Sequence, residues 1–324
     1  MRILLAPMEG VVDHTMRAML TQIGGIDRCV TEFIRVTTTR LPTKVFHRFC
    51  PELLNNGLTS SGVPVYVQLL GGNPEPMAIN ASRAAELGAP GIDLNFGCPA
   101  KQVNRSDGGS VLLREPQRVH DIVAAVREAV PAATPVTAKI RLGYQDRELL
   151  ADICRGIYEA GASELSIHAR TKEDGYKPPA YWDAIAGIQH LSPIPVIANG
   201  EIWTTQDAAN CRRESGCQDI MLGRGLLACP DLALQISAMR REEPYQPMPW
   251  LAVTELLVQF CEVTELAYER KYVGNRVKQW LAYLRRQYPM AATLFETVKR
   301  LQWPEDIARE IALHQQRIQT DQAA

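Results

Sequence analysis

Short apolar runs separated by turn residues recur along the chain as far as residue 222. Most are followed by a Gly, Pro or Asn turn and then by a stretch with helical periodicity. The runs alternate only weakly, which is typical of parallel strands whose outer face is covered by helices. The pattern predicts eight strands, at residues 3–6, 28–31, 65–69, 91–95, 136–140, 164–168, 195–199 and 219–222.

Helical periodicity fills the stretches between these strands. The clearest helices are predicted over residues 74–87, 116–130, 149–160 and 204–215. Pro116 suits the first turn of a helix, and Gly88 and Gly161 suit the position just after one. Eight strands alternating with helices favour an α/β fold, the (β/α)8 TIM barrel. A doubly wound open sheet is the alternative, which is weakened because no GxGxxG motif follows the first strand. Residues 35–64 are irregular and predict a decorated loop.

The pattern changes in a proline-rich stretch near residues 242–250. Three prolines within six residues predict a stiff linker and a domain boundary. We therefore expect a TIM barrel catalytic domain over residues 1–243 and a helical domain over residues 244–324. Breaks are predicted near residues 272–274, at Pro289 and at Pro304, which indicates a bundle of three or four helices.

Composition excludes several classes of protein. The 324 residues are 46% hydrophobic and carry a formal net charge of -1, so the chain is neither disordered nor a polycation. No apolar run reaches the roughly 18 residues of a membrane helix, and the first residues do not resemble a signal peptide. The eight cysteines show neither a CxxC pair nor zinc-ligand spacing. We expect a cytoplasmic protein without a metal, a membrane partner or an obligatory protein partner.

Basic residues concentrate in the predicted helical domain. Between residues 270 and 300, eight Lys or Arg residues accompany a single acid, Glu296, which gives this stretch a charge of +7. Tyr272, Trp280, Tyr283 and Tyr288 are interleaved with them. A one-sided charge with aromatic side chains favours contact with RNA, and a solvated helix face is the alternative.

Polar residues stand at the C-terminal ends of the predicted strands, which in a (β/α)8 barrel surround one mouth. The loops after the seventh and eighth strands, with Gly200 and Gly223, are in the usual place of a phosphate site. Cys98 is a candidate nucleophile or general acid, with a buried structural cysteine as the alternative. Lys139 is a candidate Schiff-base lysine or a cation that holds an anionic cofactor ring, with a salt-bridged lysine as the alternative.

At these motifs the sequence resembles the tRNA-dihydrouridine synthases. The matching segments are Ala6-Pro-Met-Glu9, Asp93-Leu-Asn-Phe-Gly-Cys-Pro99, Lys139-Ile-Arg141, His168-Ala-Arg-Thr171, Asn199-Gly-Glu201 and Gly223-Arg-Gly225. The stretch from residue 276 to 285 is similar to the bacterial C-type subgroup, which acts on uridine 16 of the D-loop.

The resemblance implies a flavoprotein that uses FMN and NADPH to reduce a uridine of tRNA to 5,6-dihydrouridine. It implies that reduced FMN delivers hydride to C6 of the base and that Cys98 protonates C5. The alternatives are a synthase acting at another D-loop position, a small-molecule FMN reductase of the dihydroorotate dehydrogenase type, a Schiff-base lyase, and an RNA-binding module without activity.

Two sets of binding residues are expected. The resemblance implies FMN contacts by Pro7, Met8, Glu9, Gln68, Lys139, His168, Asn199, Gly200, Glu201, Gly223 and Arg224. The residues of the barrel mouth, the decorated loop and the basic stretch predict tRNA contacts by Arg35, Asn95, Arg141, Arg170, Tyr176, Arg276, Lys278, Tyr283 and Lys299.

Overall fold

The computed structural model describes the chain over residues 1–323, with side chains up to residue 320. Within this range nine strands pair in parallel. They are β1 (Ile3–Leu5), β2 (Arg28–Val30), β3 (Ile34–Arg35), β4 (Val65–Leu70), β5 (Ile92–Phe96), β6 (Val136–Arg141), β7 (Glu164–His168), β8 (Val196–Asn199) and β9 (Asp219–Leu222).

Eight of these strands close into a barrel. The order of pairing is β2-β1-β9-β8-β7-β6-β5-β4, and β2 pairs with β4 to complete the ring. The two-residue β3 pairs with β4 as an additional strand. The inside is filled by buried side chains, among them Leu4, Val30, Tyr66, Ile197 and Met221. The (β/α)8 barrel is confirmed, and the eight predicted strands match those of the ring to within one residue at each end.

The described helices follow the strands and then continue to the end of the chain. They are α1 (His14–Ile23), α2 (Thr43–Phe49), α3 (Pro74–Glu86), α4 (Lys101–Arg105), α5 (Pro116–Ala129), α6 (Leu150–Glu159), α7 (Asp183–Leu191), α8 (Thr205–Ser215), α9 (Arg224–Ala228), α10 (Leu232–Arg241), α11 (Trp250–Ala267), α12 (Arg270–Leu284), α13 (Pro289–Val298) and α14 (Pro304–Ala323). Gly88 and Gly161 close α3 and α6 with φ of +88° each, as predicted. No described helix has the length and apolar character needed to span a membrane.

The stretch between residues 35 and 64 differs from the prediction of a decorated loop. It contains α2 and a 3-10 helix, Pro51–Asn55. Phe46 is the buried residue of α2, and Leu53 is that of the 3-10 helix. A helix that buries one side chain shows too little apolar periodicity to be found from sequence.

An ion-pair network joins three strands at the N-terminal end of the barrel. The Glu164 carboxylate, at the start of β7, accepts hydrogen bonds from Arg2 at 2.6 Å and from Arg28. Arg2 also pairs with Asp219 at 2.7 Å, and the Arg28 guanidinium lies 4.4 Å from the centre of the Tyr66 ring. The side chains of Arg28 and Glu164 are only 8% and 13% exposed, so the pair they form is largely desolvated.

Replacing Glu164 by alanine should lower the free energy of unfolding by about 3 kcal/mol, because it leaves the Arg28 charge buried without its partner. Urea unfolding followed by circular dichroism measures this. Glu86→Ala is the matched control, since that carboxylate pairs with Arg40 and Arg83 on an exposed surface and should matter little. An equal loss in both variants would show that the network at the barrel end has no special role.

The described chain forms two compact units. The first comprises Met1–His14, Ile26–Ile202 and Gln206–Gly223, and the second comprises Thr15–Gly25, Trp203–Thr205 and Arg224–Ala324. The second unit therefore groups α9, α10 and all of α1 except His14 with the four helices α11 to α14. A domain boundary between residues 243 and 244 stays a prediction.

The break predicted near residues 272–274 is wrong, because α12 runs through Gly274 without interruption. A Cβ atom on Gly274 would lie 2.8 Å from both the Gln302 carbonyl oxygen and the Ile307 Cδ1. This glycine permits close packing of α12 against the segment that leads into α14. The actual break lies between Ala267 and Arg270.

Two buried tryptophans hold the second unit together. Trp280 Nε1 donates to the Leu227 carbonyl at 3.1 Å, and the Trp280 ring meets the Phe260 ring edge-on at 5.0 Å. Trp250 Nε1 donates to His314 Nε2 at 2.9 Å. Burial lowers the pKa of His314, and the charge of Arg317 acts in the same direction. The imidazole therefore accepts the indole N–H in its neutral form.

The second unit should lose stability in mild acid. The unfolded state takes up a proton on His314 near its ordinary pKa of about 6.5, whereas the folded state resists it, so the free energy of unfolding falls as the pH drops below that value. Urea titrations at pH 7.5 and 5.5 measure the difference. His314→Gln, which cannot take up this proton, should show a smaller difference between the two pH values.

Candidate active site

Polar side chains from neighbouring strands meet around the C-terminal end of the barrel. Lys139 Nζ, on β6, donates to Asn199 Oδ1, on β8, at 3.0 Å. Asn199 Nδ2 in turn donates to the carbonyl of Met221, on β9, at 2.8 Å. Because β7 lies between β6 and β8, the Lys139 side chain reaches across the inside of the barrel. The prediction that these residues share one mouth is consistent with these contacts.

Lys139 is a cation without an ion pair among the described residues. Burial and the nearby charge of Arg141 lower the pKa of Lys139 to about 8, while Asp93 opposes the shift. The amine therefore remains mostly protonated at neutral pH. Its described hydrogen bond is to the Asn199 amide oxygen, not to a carboxylate, so the salt-bridged alternative is wrong. Such an ammonium suits an anionic group bound in the mouth.

Cys98 is the one half-buried cysteine, whereas the other seven are buried. It follows β5 and packs against a small apolar cluster of Phe33, Leu70 and Val103. Burial raises the pKa of the Cys98 thiol, and the charge of Glu9 raises it further, while a backbone N–H and Arg141 act in the opposite direction. The thiol is therefore protonated at neutral pH, which suits a proton donor better than a nucleophile.

The backbone of Cys98 is held on both sides. Its N–H donates to Asn95 Oδ1 at 2.9 Å, and its carbonyl accepts from Asn104 Nδ2 and from Ser110 Oγ, both at 2.9 Å. Gly109 comes so close that a Cβ atom there would lie 2.7 Å from the Cys98 carbonyl oxygen, and its φ is +68°. The segment after Cys98 thus folds onto the cysteine and fixes its position.

A chain of buried side chains leads from the inside of the barrel to Cys98. Gln68 Nε2 donates to Asp93 Oδ2 at 2.6 Å, and Asn95 Nδ2 donates to Gln68 Oε1 at 2.8 Å. Thr137 Oγ1 donates to the other Asp93 oxygen at 2.6 Å. Burial raises the pKa of Asp93, while these hydrogen bonds and the neighbouring cations favour the ionised form. Sequence analysis missed Asp93 and Thr137, since neither stands at a strand end.

Arg141 connects the Cys98 loop with the loop that follows β7. Its Nε donates to the Gly97 carbonyl at 2.8 Å, and its Nη1 donates to the carbonyls of Thr171 and Gly175, both at 2.9 Å. The guanidinium also lies 5.1 Å from the centre of the exposed Tyr176 ring. At least three of the five donors of this predicted tRNA contact are therefore used to hold two loops together.

Arg170 and Glu201, predicted to contact different ligands, form one ion pair. The Arg170 guanidinium is fully buried, and its Nη2 donates to Glu201 Oε2. Its Nε donates to the Pro179 carbonyl at 3.1 Å, and its Nη1 has no hydrogen-bond partner. A buried donor without a partner is a group that a bound acceptor oxygen would satisfy.

Two glycines allow close packing of the backbone against predicted FMN contacts. A Cβ atom on Gly200 would lie 2.7 Å from His168 Cδ2, and one on Gly223 would lie 3.1 Å from Met8 Sδ. Pro7 and Met8 are half-buried, whereas Glu9 is exposed. Among the described residues, no cluster of His, Cys, Asp and Glu could hold a metal ion.

The chain is similar over nearly its whole length to proteins of one family. A family model described as dihydrouridine synthase (Dus) matches residues 4–320. The chain is 52% identical over 309 residues to the tRNA-dihydrouridine(16) synthase of Shewanella oneidensis, covering 95% of this chain and 96% of that protein. It is 48% identical over 325 residues to the tRNA-dihydrouridine(16) synthase of Vibrio cholerae, covering 100% and 98%. The chain belongs to the dihydrouridine synthase family. The family expected from the strand-end motifs is confirmed.

Solved structures with low sequence identity share the barrel of this dihydrouridine synthase family member. A variant of NCR from Zymomonas mobilis aligns with a TM-score of 0.51 and 14% identity, over 76% of this chain and 88% of that chain. Histamine dehydrogenase from Rhizobium sp. 4-9 aligns with a TM-score of 0.54 and 17% identity, over 81% and 48%. At these identities the likeness concerns the fold.

The tRNA contacts predicted on α12 of this dihydrouridine synthase lie on two sides of the helix. Arg276 and Tyr283 are about two turns apart on α12 and lie on the same face. Lys278 projects to another side of α12, where its Nζ donates to the Leu301 carbonyl at 2.9 Å. Lys299 pairs with Glu296. The geometry therefore joins Arg276 with Tyr283 on one face, and it brings Lys278 to Leu301, two residues from Lys299 in the chain.

Sequence analysis also missed an arginine–tryptophan cluster in the second unit. The guanidinium of Arg224, at the start of α9, lies 4.9 Å from the centre of the Trp203 ring. That of Arg286 lies 3.8 Å from the same centre. Arg224 stays a predicted phosphate contact. Arg35, in the first unit, is half-buried on β3 and stays a predicted tRNA contact.

Proposed function

We propose that this protein reduces a uridine of tRNA, at position 16, to 5,6-dihydrouridine with FMN as cofactor and NADPH as reductant. The observation that carries the proposal is a neutral, half-buried thiol after β5 together with a half-buried cation on β6 that forms no ion pair among the described residues. A proton donor and a site for negative charge are what the reduction of a carbon–carbon double bond requires. The position rests on the relatives of Shewanella and Vibrio, whose names specify residue 16. A tRNA substrate also favours a cytoplasmic location.

The residues at the barrel mouth fit a flavin. Lys139 offers a positive charge that forms no ion pair among the described residues, and Arg170 offers a buried donor without a partner. Gly200 and Gly223 let the backbone pack closely against His168 and Met8, which are two of the predicted FMN contacts. We propose that these residues hold FMN together with Pro7, Met8, Glu9, Gln68, His168, Asn199 and Glu201. The flavin, when bound, would supply the two electrons that saturate the C5–C6 bond.

Cys98 would supply the proton. Its Sγ holds a proton at neutral pH because burial disfavours the thiolate, and the bond from sulfur to hydrogen breaks as hydrogen is transferred to C5 of the base. The positive charge of Arg141 favours the thiolate that remains. Solvent water then returns the proton to sulfur.

The base must leave its stack to reach a mouth at the end of a barrel. Asn95 Oδ1 is occupied by the N–H groups of Gly97 and Cys98, so the group that Asn95 can offer to a uracil carbonyl is its second Nδ2 hydrogen. The exposed Tyr176 ring offers a stacking surface. We propose that Arg276 and Tyr283 contact the tRNA backbone, with Lys278 and Lys299 as weaker contributors.

The test is an assay of purified protein with FMN, NADPH and unmodified tRNA, followed by mapping of dihydrouridine along the tRNA. We expect dihydrouridine at position 16 and none with free uridine as substrate. Dihydrouridine at another D-loop position would overturn the assignment of position 16. Reduction of a free pyrimidine without reaction on tRNA would favour a small-molecule reductase.

A further inference from the structure

Hydrogen bonds link Asp93 through Gln68 and Asn95 to the backbone of Cys98, and the donor and acceptor are fixed at each link. Asp93 is buried, and both of its carboxylate oxygens accept, one from Gln68 Nε2 and one from Thr137 Oγ1. Gln68 must therefore turn its amide nitrogen toward Asp93 and its oxygen toward Asn95. Asn95 in turn presents its nitrogen to Gln68 and its oxygen to the loop.

The end of this chain is the backbone that carries the thiol. Asn95 Oδ1 accepts the N–H of Gly97 at 3.0 Å and that of Cys98 at 2.9 Å. If the Asn95 amide were reversed, its NH2 group would face these two N–H groups, and donors would oppose donors. Asp93 thus fixes the orientation of the Gln68 amide and, through it, that of the Asn95 amide, which binds the backbone N–H of Cys98.

We propose that Asp93 is a positioning residue, which holds the Cys98 loop in place through Gln68 and Asn95. The inference rests on the proposed function, in which Cys98 is the proton donor. Asp93 touches no reacting group in this account, because its two oxygens are occupied by Gln68 and Thr137. Gln68 and Asp93 are buried, so the direction is set inside the protein and not by solvent.

The proposal predicts that Asp93→Asn suppresses the effect of Asn95→Asp, because the two side chains are linked through Gln68. In Asn95→Asp the new carboxylate still accepts the N–H groups of the loop, but its second oxygen opposes Gln68 Oε1. If Gln68 turns over, its oxygen opposes Asp93 instead. Changing Asp93→Asn as well removes the conflict, since the new amide nitrogen donates to Gln68 Oε1 and the whole chain runs in the opposite direction.

The measurement is hydrogen exchange of the peptide containing Gly97 and Cys98, in the flavin-loaded protein, together with the urea midpoint. Asn95→Asp should exchange about tenfold faster in this segment, as expected when a buried hydrogen bond is replaced by opposed acceptors. The double variant should return to the wild-type rate. Asp93→Asn alone should change little, because the Thr137 hydroxyl can accept as well as donate.

Adding Gln68→Met to the double variant separates the proposal from simple repulsion between two carboxylates. Methionine has a similar size but no amide group to link residues 93 and 95. Asp93→Asn should therefore no longer suppress the effect of Asn95→Asp when Gln68 is replaced. Suppression that survives without Gln68 would overturn the proposal, as would an Asn95→Asp variant with unchanged exchange and midpoint.

Turnover gives a second readout. Asp93→Leu should lower kcat on tRNA by about 10²-fold, the cost of a misplaced reacting group, with KM within about threefold of wild type. Thr137→Val removes the other hydrogen bond to the same carboxylate and should leave kcat within about threefold. Equal loss in both variants would count against the proposal. If the wild-type protein forms no dihydrouridine, the proposed function fails, and the exchange experiment still decides whether Asp93 holds the loop.

Discussion

Replacing Cys98 by alanine should lower the rate of dihydrouridine formation by about 10²–10⁴-fold, the usual contribution of a positioned general acid. The reason is that the Cys98 thiol is half-buried and, with its pKa raised by burial, carries its proton at neutral pH. The measurement is a single-turnover assay with unmodified tRNA and flavin reduced beforehand, so that only the transfer to the base is observed.

The fold should survive this change, because the hydrogen bonds at residue 98 are made by its backbone N–H and carbonyl groups. An unchanged flavin absorption spectrum would show that the mouth is intact. Cys261→Ala is the matched control, since Cys261 is buried on α11 and should not affect the reaction. A Cys98→Ala protein that reacts at the wild-type rate would mean that another group donates the proton.

The barrel could be predicted because its strands are buried on both faces. Such strands appear as continuous apolar runs, and their ends are marked by turn residues, so the prediction of residues 136–140 differs from β6 by one residue. The short elements could not be predicted in this way. α2 buries only Phe46, and β3 has two residues, so neither produces a periodic pattern.

The candidate site was predictable where its residues stand at strand ends. Cys98, Lys139 and Asn199 follow this rule, and the structure connects Lys139 with Asn199. The buried chain from Asp93 to Asn95 was not predictable, although both residues lie in the motif that suggested the family. A polar residue inside an apolar strand is the signal that could have revealed Asp93, because a buried carboxylate requires donors.

The C-terminal helices illustrate a limit of charge counting. The stretch from residue 270 to 300 carries a charge of +7, yet much of this charge is used within the protein. Arg270 pairs with Glu305, Lys278 binds a carbonyl and Arg285 lies 4.1 Å from the centre of the Phe295 ring. The sequence shows the sign of a charge but not the groups that surround it in the folded protein. Some of those groups lie on helices that are distant in the chain.

Replacing Lys139 by methionine should weaken flavin binding and lower the rate of dihydrouridine formation by about 10²–10³-fold, the usual cost of removing one preorganised group that stabilises negative charge. Methionine retains most of the volume of the aliphatic chain and removes the ammonium. The same chain offers a control in Lys278→Met, whose Nζ donates to the Leu301 carbonyl in the second unit. That variant should retain flavin, so a similar loss of flavin in both would contradict a specific role for Lys139.

The pH dependence of flavin binding separates the charge of Lys139 from its packing. Burial and the charge of Arg141 lower the pKa of Lys139 to about 8, so the free protein loses this positive charge as the pH rises through that value. Anionic flavin favours the protonated amine, and its affinity should therefore fall progressively above pH 8. Fluorescence titrations of FMN between about pH 6.5 and 9.5 measure how the affinity changes with pH, because this pH range brackets the pKa of Lys139. Lys139→Met should bind weakly without the slope, because it has no proton to lose. If the slope persists in Lys139→Met, a different group controls the binding of the anion, and the cation on β6 is not the one that the flavin requires.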